Sequence, residues 1–254
     1  MNEHEFFKSY RRFTNDYEKL ERWYLATLLS YEHSVHEMNK IIDGKKSEGR
    51  GREKVYFKKE EYGDLHLIQH DHYDLLKKYE KGYKKFLEEM VLIRLVSLLE
   101  VLLSEMIESC FFYNKRLFFT KGKYEINISE FLYKDKQELE EEYINRLVDK
   151  YSRGGLVELK KFYEKDLNIN LASFYKIDQG TAYSYKEIER LHDTRHLIIH
   201  QLGRTDQKYR TKYDYSKKAI QLTVEEIFYY IKLVELFTEF LKNELQRNIV
   251  VPNQ

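Results

Sequence analysis

Hydrophobic and polar positions repeat with the period of an α-helix along most of the chain, which predicts an all-α helical bundle. Residues 4 to about 42 form one long N-terminal helix. The pattern from residue 64 to about 116 is helical again and is apolar nearly all round between Phe86 and Phe112, so this segment is expected to be the buried centre of the core. We predict an N-terminal helical extension with a basic loop over residues 1–60, including Gly44 to Gly51, and a helical domain over residues 61–250.

Capping patterns predict where the later helices begin. Asp135 with Glu138 opens a charged helix to about residue 151, and Thr223 with Glu226 opens a last helix to about residue 245. The pair Gly154-Gly155 separates the charged helix from another that reaches about residue 165. Residues 118–128 suggest a small accessory hairpin, whereas residues 166–183 are rich in loop-forming residues.

Between these segments, Ser184 with Glu187 and the terminator Gly203 bound a helix of roughly five turns. Its apolar positions form one arc, made up of Ile188, Leu191, Ile198, Ile199 and Leu202. Arg195 falls inside that arc, where a guanidinium needs a carboxylate, a phosphate or a subunit boundary. On one flank, His192, His196 and His200 form a ladder at i, i+4 and i+8.

A narrow polar seam runs along the otherwise apolar central segment at helical spacing, and it consists of Arg94, Ser97, Glu100, Ser104 and Glu108. A half-buried carboxylate must be paired, so Glu100 is a candidate to orient Arg195 or a catalytic histidine. The alternative is that the seam simply faces solvent or another helix.

Composition limits the function classes. The 254 residues carry 34% charged side chains but a formal net charge of only +1, so any RNA site must be a local patch and not a general basic surface. Cys110 is the sole cysteine, which excludes a disulfide within the chain and a multi-cysteine zinc site. The first residues lack the pattern of a secretion signal, and no apolar run approaches the roughly 18 residues of a membrane span. We therefore expect a cytoplasmic protein without membrane contact.

Arg195 and His200 have the chemistry that metal-independent RNA cleavage requires. Histidine can take or give a proton near pH 7, and the planar arginine fork stabilises negative charge on a phosphoryl group. On a straight helix the two side chains diverge by about 140°, so they converge only if the last turn swings His200 or if a two-fold dimer combines two subunits. A competing pair, Arg190 with His196, is disfavoured because Arg190 is expected among the solvent-facing residues.

The stretch from Arg195 to His200, with the polar His196 next to the arginine, resembles the motif of the HEPN superfamily, in particular its RiboL-PSP/MAE-type ribonucleases. The following residues 201–209 and the opening of the last helix at residues 220–226 are also similar to that family, and the resemblance covers mainly residues 85–115 and 185–245. It implies a HEPN-type bundle and a homodimer with a composite active site. It further implies an endoribonuclease that leaves a 2',3'-cyclic phosphate, without a cofactor, in bacterial phage defence or as a toxin.

On this basis we expect Arg195, His200 and His196 to be catalytic and Glu100, His192 and Tyr209 to support them. The expected partners are RNA, such as tRNA or mRNA, a second copy of the chain, and an antitoxin or defence-system protein.

Two alternatives stay open. The chain could be a catalytically silent HEPN-fold module for dimerisation or binding of a regulated partner. It could also be a metalloprotein that uses the histidine ladder, or His66, His70 and His72 beside Asp71, to hold a divalent ion. No glycine-rich phosphate loop, zinc-protease motif or nucleotidyltransferase motif occurs, so kinase and dinucleotide-binding functions are not supported.

Overall fold

The computed structural model describes residues 3–47, 54–55, 70–119 and 132–250. As predicted, they form an all-α fold with a long N-terminal helix. The α-helices are Glu3–Phe6, Lys8–Ser47, His72–Lys77, Lys84–Tyr113, Arg116–Phe119, Lys136–Arg153, Gly155–Lys165, Tyr185–Gln201, Gln207–Tyr213 and Val224–Leu245. Wider π-helical turns span Lys78–Tyr83 and Gln246–Val250, and a 3-10 turn spans Leu171–Ser173. Two antiparallel strand pairs join Lys54–Val55 to His70–Asp71 and Tyr175–Asp178 to Thr181–Ser184.

Five helices carry the argument below. They are the N-terminal helix (Lys8–Ser47), the central helix (Lys84–Tyr113), the motif helix (Tyr185–Gln201), the short helix (Gln207–Tyr213) and the C-terminal helix (Val224–Leu245).

The central helix is the axis of the core because it is apolar on nearly every side. Leu92, Leu95, Leu102 and Leu103 are all fully or almost fully buried and contact helices in different directions. Cys110 is also buried, and this burial raises the pKa of its thiol, so it behaves as a small apolar core residue. The prediction of a buried central helix is confirmed.

The N-terminal helix runs antiparallel to the central helix and is part of the same core. At one end Phe6 packs against Tyr113 with ring centroids 5.2 Å apart, and at the other end Tyr31 packs against Tyr79, in the turn that leads into the central helix. The hydroxyl of Tyr17 donates to the carbonyl of Ile231, 3.0 Å away on the C-terminal helix. The N-terminal helix is therefore integral to the bundle and not an appended arm, while the predicted boundary near residue 60 lies outside the described residues.

The motif helix lies antiparallel to the central helix. The C-terminal helix is parallel to the central helix, since Glu88 lies near Glu225 and, farther along both elements, the Tyr113 hydroxyl donates to the Val250 carbonyl at 3.2 Å. The motif helix runs antiparallel to the C-terminal helix, because Tyr185 packs against Phe237 whereas Arg190, farther along, lies near the earlier residue Tyr230. The C-terminal end of the motif helix therefore points toward the N-terminal half of the central helix.

Two of the three predicted capping boxes form. Asp135 with Glu138 and Thr223 with Glu226 each make both reciprocal bonds, and their helices begin one residue later, as predicted. Ser184 occupies the predicted cap position of the motif helix, but its side chain makes no cap hydrogen bond. The prediction of a capping box at Ser184 is therefore wrong, although the helix start is right. Ser184 is also the last residue of a strand, where it pairs with Tyr175.

The hairpin described by the structure is not the predicted one. Residues 118 and 119 are helical, and residues 120–131 lie outside the described part of the chain. The strand pair instead lies in the stretch that was expected to be loop, and its turn places Gln179 and Gly180 at positive φ of 46° and 81°. Two successive positive φ values are typical of the tight turn that joins antiparallel strands. Gly44 to Ser47, the first part of the predicted basic loop, belong instead to the N-terminal helix, and residues 48–51 lie outside the described part of the chain.

Among the described residues, no helix is both long enough and apolar enough to cross a membrane.

The difference between the two caps can be tested by stability. Thr223→Ala removes a formed cap and should lower the free energy of unfolding by about 1 kcal/mol. Ser184→Ala removes a hydroxyl without a cap bond and should cost less than about 0.5 kcal/mol. Urea unfolding followed by circular dichroism measures both, and equal losses would contradict the assigned cap geometry.

Candidate functional site

The buried face of the motif helix decides which of its residues can act. Tyr185, Ile188, Leu191, Thr194, Leu197 and Ile198 are buried against the rest of the bundle. The predicted apolar arc was therefore partly wrong, because Ile199 is 40% exposed and Leu202 is 85% exposed. Thr194 and Leu197 are buried instead, and Thr194 hydrogen-bonds Tyr209 of the short helix, so that Arg195 lies at the edge of the buried face.

The end of the motif helix is fixed by its backbone. Leu202 and Gly203 both have positive φ, at 53° and 74°, and the Gly203 amide donates to the Leu197 carbonyl at 2.9 Å. Glycine adopts this conformation without steric cost, so the predicted terminator is confirmed. His200 consequently lies in the last turn, next to the reversal of the chain.

Glu100 of the central helix joins the two cations of the motif helix. Its Oε1 lies 3.1 Å from Nε2 of His192, and its Oε2 lies 3.8 Å from Nη2 of Arg195. All three side chains are about three-quarters buried. The structure thus brings together Glu100, Arg195 and His192, as the polar seam suggested. The seam also faces a helix, because Ser104 hydrogen-bonds Ser152 at 2.8 Å.

Asp193 forms the second half of this polar network. The Tyr213 hydroxyl and the Lys212 ammonium, both on the short helix, donate to Asp193 Oδ2 at 2.7 Å and 3.0 Å. Burial alone would raise the pKa of the Asp193 carboxyl, but the neighbouring His192 imidazole and the hydrogen bonds from Tyr213 and Lys212 hold it well below its usual range. Sequence analysis missed Asp193, Lys212 and Tyr213, since no local pattern links residues about 20 positions apart.

His192 is held protonated between two carboxylates. Asp193, whose Oδ1 lies 3.9 Å from Nδ1, and Glu100, at 3.1 Å from Nε2, raise the pKa of His192 to about 9. Glu100 is the partner within hydrogen-bond distance. His192 is therefore a fixed positive charge near neutral pH and not a proton carrier.

The other two histidines of the ladder, His196 and His200, have a different environment from His192. His196 and His200 are exposed, and their rings lie 4.6 Å apart, centroid to centroid. In the described part of the chain, their ring contact is with each other and neither forms a hydrogen bond or an ion pair. They are free to contact a ligand from solvent, whereas Arg195 and His200 make no direct contact within one chain.

Tyr209 supports the motif helix from inside. It is only 4% exposed, and its hydroxyl shares a 2.8 Å hydrogen bond with Thr194. Burial raises the pKa of this hydroxyl. Tyr209, which was predicted to support the site, anchors the short helix to the motif helix.

Arg190 is not the solvent-facing residue that the helical wheel indicated. It is half-buried on the side of the motif helix opposite Glu100, near Tyr209 and Tyr230 and 3.6 Å from Glu187. The short helix and the C-terminal helix cover it, which the isolated wheel could not foresee. Arg190 therefore does not share a surface with His196, and the competing pair is not brought together.

The histidine clusters considered as alternative metal sites do not form one among the described residues. No group of three or more histidine, cysteine or acidic side chains there could hold a metal ion. His66 lies outside the described residues, and His72 is buried.

Comparison of the chain with protein-family models, with curated proteins and with solved structures gave no match.

The protonation of His192 makes a testable contribution to stability. Because its folded pKa of about 9 exceeds the ordinary value of 6.5, its charge stabilises the fold fully below pH 6.5, and that contribution is lost as pH rises through 9. The stability advantage of the wild type over His192→Gln should therefore shrink between pH 6.5 and 9 and then level off. Urea unfolding at each pH measures it.

The matched control is Glu100→Gln, which removes the nearer carboxylate and should lower the pKa of His192 in an NMR titration. A stability difference that does not change with pH would contradict the assignment.

Proposed function

We propose that the protein is a metal-independent endoribonuclease of HEPN type. The observation that carries this proposal is that Glu100 pairs with Arg195 at the edge of the buried face, while His196 and His200 of the same helix are exposed and in ring contact with each other. An ion-paired arginine and unpaired histidines on this helix supply the charge and the proton transfer that cleavage through a 2'-hydroxyl requires.

In the proposed reaction, one histidine takes the proton from the ribose 2'-hydroxyl as the oxygen attacks phosphorus. The bond from phosphorus to the 5'-oxygen breaks, and a protonated histidine gives that oxygen a proton. The products are a 2',3'-cyclic phosphate and a 5'-hydroxyl. We assign His200 to proton transfer, His196 to sharing or orienting it, and Arg195 to the charge on the non-bridging oxygens.

Glu100 and His192 act in this scheme as positioning residues. The carboxylate of Glu100 limits the rotation of the Arg195 guanidinium, and His192 compensates the second oxygen of Glu100. Without His192, Glu100 would neutralise Arg195 more completely. The pair therefore leaves Arg195 with an effective positive charge for a phosphate.

A homodimer completes the proposed site. Arg195 and His200 diverge by about 140° on one helix, so a second copy is needed to place both on one phosphate. Exposed apolar side chains lie on the two helices that carry the site: Phe86, Met90 and Val101 share one face of the central helix, and Ile199 lies one turn beyond Arg195. Such a surface favours a protein contact over open solvent.

On the resemblance to the HEPN family, we also propose a role in defence or as a toxin, an inhibitory partner and a cytoplasmic location. The same apolar face would also suit a regulated partner if the chain were a silent binding module, and the absence of cleavage in the following experiment would favour that reading.

Cleavage of end-labelled total RNA and tRNA in excess EDTA tests the activity. We expect the wild type to leave cyclic phosphate ends. His200→Ala should lose about 10²- to 10⁴-fold in rate, and Arg195→Ala should lose about 10²- to 10³-fold. His33→Ala, an exposed histidine of the N-terminal helix, is the matched control and should retain activity. Cleavage that neither active-site variant reduces would contradict the proposal.

Mixing two inactive variants tests the composite site. In a mixed dimer of Arg195→Ala and His200→Ala subunits, one site would regain both groups and the other would have neither. Random exchange makes half of the dimers mixed, so about a quarter of wild-type activity should return. A site contained in one chain would stay inactive in every mixture, and a fully active monomer in analytical ultracentrifugation would also contradict a composite site.

A further inference from the structure

A small cleft lies beside His196, between the C-terminal half of the motif helix and the short helix. Its volume is about 160 Å³, well below the about 300–1,000 Å³ of pockets for drug-sized ligands. Its apolar lining comes from the buried residues Leu197 and Tyr209, and its polar lining includes His196, Gln201 and Lys208. The cleft therefore has room for a single flat ring next to one of the proposed catalytic histidines.

Some of the polar groups at this cleft are already used by the fold. Asp206 accepts a hydrogen bond from the Tyr209 amide at 2.7 Å and so caps the short helix. Lys212 is bound to Asp193 at 3.0 Å. These two side chains hold the walls of the cleft in place and are not available to a ligand.

Other polar groups at the cleft are uncommitted. In the part of the chain that the structure describes, the Gln201 amide and the Lys208 ammonium form neither a hydrogen bond nor an ion pair, and Lys208 is exposed. An amide presents a donor and an acceptor side by side, which matches the edge of a nucleobase. A lysine ammonium binds a phosphate as a point charge.

The chain around the cleft is locally basic although the whole protein is nearly neutral. From Arg204 to Lys218 there are six basic residues and two acidic ones. This is the kind of local patch that an RNA ligand would need in a protein of net charge +1.

We propose that this cleft is a nucleotide subsite next to the scissile phosphate, in which Gln201 contacts the edge of one base and Lys208 contacts a neighbouring phosphate. This inference rests on the proposed ribonuclease function and adds to it a source of base preference. Since His196 lines the cleft, a base held there is next to one of the two histidines assigned to the proton transfer. The ligand is single-stranded RNA, because a paired base could not present its edge in so small a cleft.

Binding of RNA tests the role of Lys208 without requiring cleavage. The probe is a fluorescent single-stranded RNA oligonucleotide, titrated at several salt concentrations with His200→Ala protein so that it stays intact. Adding Lys208→Ala should weaken binding about equally for different base sequences and should reduce the slope of log affinity against log salt by about 0.7. Lys8→Ala removes the same charge from an exposed position on the N-terminal helix, outside both the cleft and the basic stretch, and should leave the slope unchanged.

The cut-site distribution tests the role of Gln201. In otherwise wild-type protein acting on a randomised RNA pool, Gln201→Ala should reduce the preference for the favoured base by about fivefold to tenfold, while the salt dependence of RNA binding stays unchanged. Gln221→Ala, at an exposed position of the following loop, is the matched control and should keep the wild-type distribution. Thermal unfolding checks that all variants are folded.

The outcomes separate this inference from the proposed function. If the wild type cleaves RNA but Gln201→Ala and Lys208→Ala behave like their controls, the subsite is wrong and the ribonuclease proposal stands. If RNA binding responds to Lys208→Ala but nothing is cleaved, the ribonuclease proposal fails while the phosphate contact of the cleft is supported. If the protein binds no RNA, the subsite is overturned.

Discussion

The half-buried carboxylate of Glu100 is the constraint on which the arrangement of the site depends. It lies on a helix that is otherwise apolar, and removing a charge from water is costly unless a partner compensates it. His192 and Arg195 are those partners, and both lie on one side of the motif helix. Once they face Glu100, the rotation of the motif helix is fixed, and His196 and His200 must face outward.

The pairing of buried charge also fixes the short helix, through Asp193, the residue that follows His192. Asp193 turns away from Glu100 and accepts bonds from Tyr213 and Lys212, so two consecutive residues of the motif helix are tied to two different elements. His192 lies between the two carboxylates and carries a proton that both stabilise. The network thus couples the core, the motif helix and the cleft beside it.

The side chains of the site fall into two sets, those held by the fold and those free to contact a ligand. Arg195, His192 and Asp193 are held by ion pairs and hydrogen bonds, which suits groups that position or compensate charge. His196, His200 and Lys208 are exposed and Gln201 is half-buried at the cleft, which suits groups that contact a ligand. A nearly neutral protein can in this way present a local basic surface without an excess of positive charge elsewhere.

The sequence by itself determined the features that depend on neighbours a few positions away. The apolar period of the central helix, the capping boxes at Asp135 and Thr223 and the terminator at Gly203 all follow from local geometry. Glu100 could be named as a candidate because a polar seam on an apolar helix needs partners, but its partners lie about 90 positions away.

Only the tertiary structure decided what each face of the motif helix contacts. Ile199 and Leu202 are exposed and Arg190 is covered because the short helix and the C-terminal helix pack on one particular side. The hydrogen bonds of Asp193 to the short helix likewise cannot be predicted from the periodicity of the sequence. A helical wheel fixes the angles between side chains, but the rotation of the helix against its neighbours is set by long-range packing and by the pairing of buried charge.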